Sequence, residues 1–403
     1  MRLSLLDRAV FTYQPIWGRS RQLVGVRLHV RLLDDEVNVP HLLHAIDDWW
    51  SAGSPRLLVA LAEPRAVRQA LVASAPEHLW IELPDAAQRA PADWRHLESQ
   101  ARRLGHRLVQ RLPLARAPRP TPLGEDDSLR YVLHLWPEQA SQALAVVPAP
   151  TIEAGLLPGQ IYEGIGQVAL AAHCLDAAHA WGVVDWPIAD ALARHPRGSI
   201  GIDKGTLLRV QQALLRDAST ERVLVLIHSD AVLTYRLLQL LNNDAFGRGR
   251  VLPSVRQAIG LLGERRLRDA LTRLLGLAVA DTELLPARHT LALRARLMGQ
   301  LMDAGAQQTL ANDVLLTGLF ATLDQWLRVP MAQLAERVPL SDAVRDALVE
   351  GAGPYAPYLS LAQRLADPAQ SQALPLLCQE AGFALETVNT ALLRTLAQAR
   401  SWG

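Results

Sequence analysis

The sequence predicts an α/β region followed by an all-α region, and three observations support this division. Short β-like runs alternate with helical stretches from residue 11 to about residue 136, the pattern of a domain built on parallel strands. Strand signals fade after about residue 206, and helical periodicity dominates from there to the end. A chain of 403 residues, half of them apolar, is also long enough for two or three domains. We therefore predict one domain over residues 1–205 and a second over residues 206–403.

Five segments of the first region carry strand signals. The clearest is Val24–Leu32, where aliphatic side chains at every second position alternate with a row that contains Arg27, His29 and Arg31. Because successive side chains point to opposite faces of a strand, this row lies together on one face. The other strands are expected at residues 57–61, 79–83, 107–111 and 131–135, and the helices between them near residues 40–51, 64–74 and 92–104.

The second region carries helix start and end signals. Ser254 can cap a helix, with Gln257 three residues on, and Gly263 stands where a left-handed residue would end that helix. The last helix has its apolar residues on one face, which predicts that it packs on a helical bundle. These apolar residues are Leu385, Val388, Leu392, Leu393 and Leu396.

Charge and cysteine content argue against several classes of protein. The 41 basic and 40 acidic residues balance, so the chain has no general electrostatic footprint for nucleic acid or an anionic membrane. Cys174 and Cys378 are the only cysteines, and we expect both to be reduced and buried. The N-terminus reaches a charge too soon for a secretory segment, and no apolar run approaches roughly 18 residues. We expect a cytoplasmic protein without a cofactor.

Three motifs stand close together at the start of the second region. They are Ile227–Leu238 with a Ser-Asp helix start, Asn242–Gly247 at a helix end, and Ser254–Gly263 with its capping serine. With these motifs the region closely resembles the HDOD domain, although the family prefers serine at the position of Asn243. The resemblance runs from about residue 206 to residue 403. It implies an all-helical bundle related to the HD phosphohydrolases.

The segment at residues 318–322 departs from the active members of the wider HD family. Those enzymes hold metals with paired histidines and aspartates, and the metals activate water. An active member would carry a Gly-Leu-Leu-His-Asp run, whereas this chain has Gly318-Leu319-Phe320-Ala321-Thr322. Alanine and threonine offer no histidine–carboxylate pair to a metal. The resemblance therefore implies that this region does not hydrolyse phosphate esters, and a residual metal phosphohydrolase is the exception that bound metal would reveal.

Two segments of the first region match strands of another family. Phe11–Ile16 follows a Y-Q-P-I pattern, and Leu23–Arg31 follows a V-x-G-x-E-A-L-L-R pattern. With these segments residues 1–205 resemble the EAL domain, whose active members cleave the bacterial second messenger cyclic di-GMP. Ala178–Val184 fits the family's last helix-to-strand turn, without the glutamine-glycine that usually follows. The resemblance implies an incomplete or degenerate TIM-barrel-like domain in front of the HDOD domain, as in EAL–HDOD signalling proteins.

Most metal-binding carboxylates of an active EAL domain are missing. Such an enzyme needs several carboxylates around two divalent metals, which activate water and neutralise the phosphate. The signature glutamate position is Arg27, and the strands that would supply asparagine and a double aspartate have the sequences Val59-Ala60-Leu61 and Gln110-Arg111-Leu112. Only Glu82 falls where a family carboxylate belongs. Because a cation at the signature position repels a metal, the resemblance implies no catalytic residue, no metal site and no enzyme activity.

These resemblances imply a non-catalytic signal-transduction adaptor that contacts other signalling proteins in a bacterial second-messenger, stress or motility network. The alternative is a catalytically inactive cyclic di-GMP receptor, since Gln14 and Arg31 match EAL positions that touch the nucleotide. Arg27 and His29 would add positive charge for phosphate, and Glu82 completes this vestigial pocket. The opposing interpretation is that these residues are relics that form ion pairs or line a partner surface, because many other ligand-contacting positions have changed.

Two weaker patterns have the spacing of ligand sites. His41, His44, Asp47 and Asp48 could place metal ligands on one helix face, but a solvated face beside Trp49 and Trp50 is the commoner arrangement. Gly164-Ile165-Gly166 lacks a third glycine and a strong preceding strand, so a turn is favoured over a dinucleotide site.

A basic helix and a group of tryptophans complete the candidate features. Four arginines crowd one predicted helix, and a solvated face is the commoner interpretation, with nucleic-acid binding as a minor alternative. These are Arg265, Arg266, Arg268 and Arg273. Trp136, Trp181 and Trp186 are predicted to take part in core or interdomain packing, because aromatic side chains bury large areas.

Overall fold

A computed structural model describes residues 4–84, 91–117, 129–136, 156–195, 200–243, 251–302 and 308–402. The chain divides into two compact units. The first contains Met1–Asp190 and Arg364–Ser401, and the second contains Ala191–Gln363 and Trp402–Gly403. This division differs from the predicted domain boundary at residues 205 and 206, because the C-terminal segment packs with the N-terminal unit. Residues 244–247, which belong to one of the helix-end motifs, lie outside the described residues.

Eight strands form a closed barrel in the first unit. They are β1 (Ala9–Trp17), β2 (Leu23–Leu32), β3 (Arg56–Leu61), β4 (Leu79–Leu83), β5 (Arg107–Pro113), β6 (Leu129–His134), β7 (Ile161–Glu163) and β8 (Gly182–Val184). β1 is antiparallel to β2 and β8, and the remaining neighbours are parallel. The prediction of an incomplete barrel was therefore wrong. The closing strands β7 and β8 have three residues each, too few to show alternation in the sequence.

Helices connect the barrel strands, and the first three of them lie close to the predicted positions. They are α1 (Val39–Asp47), α2 (Pro64–Val72), α3 (Pro91–Arg103) and α4 (Val168–Ala172). Gly164 follows β7 with a φ of 80°, and a Cβ atom there would lie 2.6 Å from the backbone oxygen of Leu135. Only glycine fits this backbone, while residues 164–167 form no regular turn.

The barrel interior has an apolar layer and a polar layer. The apolar layer contains Ile16, Leu58, Trp80, Val109, Val132, Ile161 and Val184. Two residues further along the parallel strands, on the same face, stand Ala60, Glu82, Arg111, His134 and Glu163. The alternation of the strands thus places the polar layer at their carboxyl ends. In β/α barrels this end carries the functional site.

The predicted role of the three tryptophans holds for two of them. Trp181 packs against the apolar layer, with its ring 5.2 Å from that of Trp80. Trp186 is buried as well. Trp136 is 55% exposed and contacts the ring of His134 edge-on, so the prediction of core packing was wrong for this residue. It follows β6 beyond the point where the strand pairing ends.

Helices dominate the second unit. They are α5 (Ile188–Ala193, which begins in the first unit), α6 (Lys204–Leu215), α7 (Thr220–Ile227), α8 (Ala231–Leu241), α9 (Val255–Leu274), α10 (Leu285–Met302), α11 (Gln308–Phe320), α12 (Leu323–Leu327), α13 (Met331–Glu336), α14 (Asp342–Arg345) and α15 (Ala356–Leu365). A small parallel sheet of β9 (Ile202–Asp203) and β10 (Ala278–Val279) accompanies them, which the sequence did not predict. Strands of two residues leave no periodic signal.

A buried aspartate makes several polar contacts at the start of α8. Asp230 is fully buried and caps α8 through the amides of Val232 and Leu233. Its Oδ1 also accepts a hydrogen bond from Arg288 Nη1 at 2.6 Å, and Arg288 Nη2 donates to the backbone oxygen of Gly201. The Ser-Asp motif thus begins a helix, as the sequence predicted, and it also joins α8 to α10.

Ser254 caps α9 as predicted, because its Oγ accepts a hydrogen bond from the amide of Gln257 at 3.1 Å. Gly263 ends the helical segment that Ser254 caps, as the sequence predicted, with a non-helical φ of 78° and ψ of 163°. A second helical segment follows it, so α9 consists of two segments that meet at a kink.

The C-terminal segment belongs to the first unit and not to the helical bundle. It contains a 3₁₀ turn (Pro368–Gln372), α16 (Leu374–Glu380) and α17 (Leu385–Gln398). The buried Asn389 side chain on α17 donates to the backbone oxygens of Leu6 and Ala9. The predicted packing of the last helix on a bundle was therefore wrong, since an amphipathic face does not specify which surface covers it.

Both cysteines are buried and unpaired, in agreement with the prediction. Among the described residues, no single helix has the length and apolar character needed to cross a membrane. The bent pair α7 and α8, at 113° to each other, passes that test by length and composition.

Candidate functional site

Arg27 lies inside the barrel at the centre of the polar layer. β2 carries its side chain inward, where it is 4% exposed. Its Nε and Nη2 donate to the two carboxylate oxygens of Glu82 at 2.7 and 2.5 Å, and its Nη1 donates to Glu163 Oε2 at 2.8 Å. The guanidinium therefore binds two carboxylates from β4 and β7, one of them through a bidentate pair.

Glu163 receives a second guanidinium. Arg111 on β5 donates from Nε to Glu163 Oε1 at 2.5 Å, and His134 on β6 lies 3.3 Å from the same oxygen. Burial raises the pKa of Glu163, but Arg27 and Arg111 outweigh it and hold the pKa below its ordinary value. Burial lowers the pKa of Arg27, and Glu82 and Glu163 reverse this effect so that its pKa stays above the ordinary value. Both partners are thus charged at neutral pH.

A second chain of hydrogen bonds starts at Gln14 on β1. Its Oε1 pairs with His29 Nε2 at 2.8 Å and lies 3.4 Å from Arg27 Nη1, while its Nε2 donates to Asp185 Oδ2 at 2.6 Å. Burial, Arg27 and Arg111 lower the pKa of His29 to about 3. His29 is therefore neutral at physiological pH, and the positive charge of this layer comes from its arginines.

A cavity of about 350 Å³ opens at this end of the barrel. Its polar lining comes from Arg27, His29, Arg31, Glu82, Arg111 and Ser371. Arg31 donates to the backbone oxygen of Ser371 at 3.0 Å, so the 3₁₀ turn of the C-terminal segment forms part of the wall. The lining contains three arginines and one glutamate, and Glu163 behind it pairs with two of these arginines. A net positive charge remains, and the cavity therefore favours an anion.

All four residues predicted for the vestigial pocket lie at this end of the barrel. Gln14, Arg27 and Glu82 belong to one hydrogen-bond network, and Arg31 lines the same cavity. Arg27 pairs with the very carboxylate that the sequence placed at a family position. Whether these residues bind a nucleotide stays a prediction.

The sequence reasoning missed Glu163, Asp185 and Ser371. Glu163 ends a three-residue strand, and its carboxylate stands two positions after an apolar interior residue. The same spacing separates Trp80 from Glu82, so a search for this spacing could have found it. Ser371 gave no signal, because it joins the site through its backbone oxygen.

The expectation that acidic side chains do not cluster here was wrong in one respect. Glu82 and Glu163 do meet inside the barrel, but they meet around Arg27. Among the described residues there is no group of three or more histidine, cysteine, aspartate or glutamate side chains placed to hold a metal. Both carboxylates direct oxygens to the guanidinium of Arg27.

The histidines and aspartates at α1 had the spacing of metal ligands, and two of them contact the segment before β4. Asp47 accepts hydrogen bonds from the amides of Glu77 and His78, and His44 contacts Ser74 Oγ at 3.3 Å. Both contacts are to the segment before β4 and account for the polar face of this helix. On α9, Arg268 pairs with Glu264 one turn earlier, while nucleic-acid contact by this helix stays a prediction.

Comparisons with known proteins identify part of the second unit. Residues 204–327 match the family model of the HDOD domain. The cyclic di-GMP phosphodiesterase CdgJ of Vibrio cholerae is 31% identical over 185 residues, which cover 45% of this chain and 41% of that protein. The chain thus matches less than half the length of this curated relative.

Two solved structures show weaker likeness. The MmoQ response regulator of Methylococcus capsulatus is 20% identical, with a TM-score of 0.38 over 48% of this chain and 98% of that one. The manganese and cyclic di-GMP complex of Klebsiella pneumoniae BlrP1 is 13% identical, with a TM-score of 0.29 over 45% of this chain and 55% of that one. Neither likeness carries an argument at these scores. Residues 204–327 match the HDOD domain, as the sequence motifs predicted, and a closed eight-stranded barrel precedes them.

Proposed function

We propose that this chain is a non-catalytic signalling regulator that acts through contacts with other signalling proteins. The observation that carries the proposal is the buried guanidinium of Arg27 between Glu82 and Glu163. The HDOD match and the similarity to a cyclic di-GMP phosphodiesterase support a role in signalling.

The barrel interior is poorly suited to two-metal phosphodiester cleavage. Such chemistry needs metal ions that activate water and neutralise the phosphate. Glu82 and Glu163 direct their carboxylate oxygens to Arg27, and Arg111 takes up a further oxygen of Glu163. A divalent ion would have to displace a buried cation from its two partners, which leaves that cation uncompensated. An EAL identity of the barrel would then mean a degenerate enzyme.

A phosphodiesterase assay tests the loss of catalysis. The full chain is incubated with cyclic di-GMP and with its linear product, in magnesium or manganese, beside CdgJ as the active control. We expect no turnover above the background without protein. Turnover that Glu82→Ala abolishes would overturn the proposal, because it would show that Glu82 serves a catalytic metal.

A second candidate function is a cyclic di-GMP receptor without catalysis. It is favoured by the 350 Å³ cavity, which three arginines and one glutamate line and which is open at the carboxyl ends of the strands. A single arginine guanidinium can bind two phosphate oxygens through two parallel hydrogen bonds. Such a receptor would hold the nucleotide with Arg31 and Arg111 while Arg27 stays bound to its carboxylates.

Calorimetric titration with cyclic di-GMP separates the two candidates. The receptor predicts micromolar binding that Arg31→Ala removes and that Arg56→Ala, an exposed change at the start of β3, leaves unchanged. The adaptor without nucleotide predicts no heat of binding in any of the three proteins. Binding that survives Arg31→Ala would contradict the assignment of this cavity.

A further inference from the structure

A second cavity lies in the helical unit, far along the chain from the barrel residues described above. It has a volume of about 230 Å³. One face of α7, the start of α9, the middle of α10 and the first turns of α11 form its walls. No motif in the sequence had marked this place as a binding site.

The cavity lining mixes polar and apolar side chains. The polar ones include Arg256, Arg296, His228 and Ser254, and the apolar ones include Leu224, Val225 and Leu315. Arg256 forms a bidentate pair with Glu221, which also lines the cavity. The lining therefore holds two arginines and one glutamate, a net positive charge when His228 is neutral.

Charge and burial oppose each other at this cavity. Burial and Arg222 lower the pKa of Arg296 to about 10, so its surroundings disfavour the positive charge that it carries at neutral pH. Burial, Arg296 and Arg256 lower the pKa of His228 to about 4, which keeps this imidazole neutral. An anion in the cavity would relieve both effects.

The start of α9 adds a third favourable contribution. Ser254 caps the segment of α9 that runs to the kink at Gly263 and also lines the cavity, so the positive end of this segment's dipole stands at the same place as the arginines. Helix N-termini favour anions, and a single guanidinium can bind two oxygens of a carboxylate or phosphate through parallel hydrogen bonds. The apolar side chains of the lining fit a hydrocarbon or aromatic body.

We propose that this cavity of the helical unit binds a small organic anion, whose carboxylate or phosphate monoester contacts Arg296 and the start of α9 while its apolar body lies against Leu224, Val225 and Leu315. The site is separate from the barrel cavity and does not rest on the proposed function of the barrel. It would give the HDOD region a small-molecule input of its own.

Titration of the full chain with phenyl phosphate and with benzoate tests the site, with benzyl alcohol as the uncharged probe of similar shape. Binding is followed by calorimetry and by the thermal unfolding midpoint. We expect at least one anion to bind at millimolar concentration or tighter and benzyl alcohol to bind at least tenfold more weakly. The better of the two anions identifies the acidic group.

Three variants assign the binding to this cavity. Arg296→Met removes the charge and keeps the length of the side chain, so we expect at least a tenfold loss of affinity. Val225→Trp fills the space beside the apolar side chains with every charge retained, and it should also abolish binding. Arg265→Met, an exposed change on α9 outside the cavity, should leave the affinity unchanged.

Two results would overturn the proposal. One is the absence of binding for both anions in the parent chain. The other is anion binding that persists in Arg296→Met and in Val225→Trp while both variants unfold cooperatively.

Discussion

At the scale of single residues, the loss of Arg27 would leave the buried carboxylate of Glu82 without its guanidinium partner and Glu163 with Arg111 alone. In Arg27→Met, Glu82 and Glu163 would face each other without the guanidinium that both now bind. Breaking a buried pair from one side costs about 3–5 kcal/mol, so we expect the free energy of unfolding to fall by about this amount. Urea unfolding followed by circular dichroism measures it.

The matched control for Arg27 is Arg56→Met at the exposed start of β3, where we expect a change within about 0.5 kcal/mol. The double variant Arg27→Met with Glu82→Gln should lose less stability than the sum of its single changes, because the second change removes one of the stranded charges. Equal stability of Arg27→Met and Arg56→Met would contradict this account of the interior.

The lowered pKa of His29 predicts that the free energy of unfolding depends on pH. Its pKa falls from 6.5 to about 3 on folding, so the unfolded chain binds a proton in this pH range that the folded chain does not. Stability is therefore fully present above pH 6.5 and declines as the pH falls toward 3. We expect His29→Gln to lose less stability between pH 7.5 and pH 5.5 than the parent chain does, measured by urea unfolding at both values.

Two other buried histidines contribute to the pH dependence of stability with the same sign, whereas Asp185, whose pKa burial raises to about 6, contributes with the opposite sign. Burial lowers the pKa of His228 and of His289 to about 4, so both histidines add to the decline at acid pH. The His29→Gln variant should thus show a smaller slope rather than none. An unchanged slope of the free energy of unfolding with pH would mean that His29 binds its proton equally in the folded and the unfolded chain.

Among the elements, β2 shows how much of the site the sequence could predict. Its strict alternation placed Arg27, His29 and Arg31 on one face. In the structure this face points to the barrel interior, where the three residues line the same cavity. The partners of Arg27 were harder to find. Glu82 came from a five-residue strand with a recognisable pattern, whereas Glu163 ends a three-residue strand that offers no period.

The last helix, α17, shows the limit of periodicity. Its apolar face was evident, but a pattern of buried positions does not tell which unit buries them. The decisive contact is a polar one. Asn389 is 1% exposed and its side-chain nitrogen donates to the backbone oxygens of Leu6 and Ala9, at 2.7 and 2.8 Å. These oxygens flank the entry into β1.

Asn389→Ala should destabilise the barrel unit. The change leaves two carbonyl groups near the helix without their donor, and an unsatisfied buried polar group costs about 1–3 kcal/mol. Thr387→Ala, at an exposed position of the same helix, is the control and should change the free energy of unfolding by less than about 0.5 kcal/mol. If Asn389→Ala lowered the free energy of unfolding no more than Thr387→Ala does, this contact would have no role in stability.

For the whole molecule, the main departure from the sequence prediction is that a segment near the C-terminus completes a unit formed by the N-terminal residues. Sequence order suggested two consecutive domains, since the HDOD motifs and the strand signals occupy separate stretches. The matched HDOD region ends at residue 327, and the second compact unit ends at residue 363. Residues 364–401 could be assigned to the first unit only from their contacts, because they are helical like the unit before them.

This arrangement predicts unequal behaviour of fragments. Val388, Leu392, Leu393 and Leu396 of α17 are each at most 1% exposed in the full chain. Burying such side chains contributes about 1.5–3 kcal/mol each, so their sum is comparable with the total stability of a domain, about 5–15 kcal/mol. A fragment of residues 191–363 should therefore unfold cooperatively by itself, whereas residues 1–190 alone should not.

A peptide of residues 364–401 added in trans should restore cooperative unfolding to the fragment of residues 1–190, with a midpoint that rises with peptide concentration. The same peptide with Leu392 and Leu396 changed to serine should not, because it retains the polar residues and lacks the apolar face. If residues 1–190 alone unfolded with the midpoint of the full chain, the buried face of α17 would contribute nothing to the barrel. The measured unfolding midpoints therefore show whether the C-terminal segment stabilises the barrel unit in addition to packing with it.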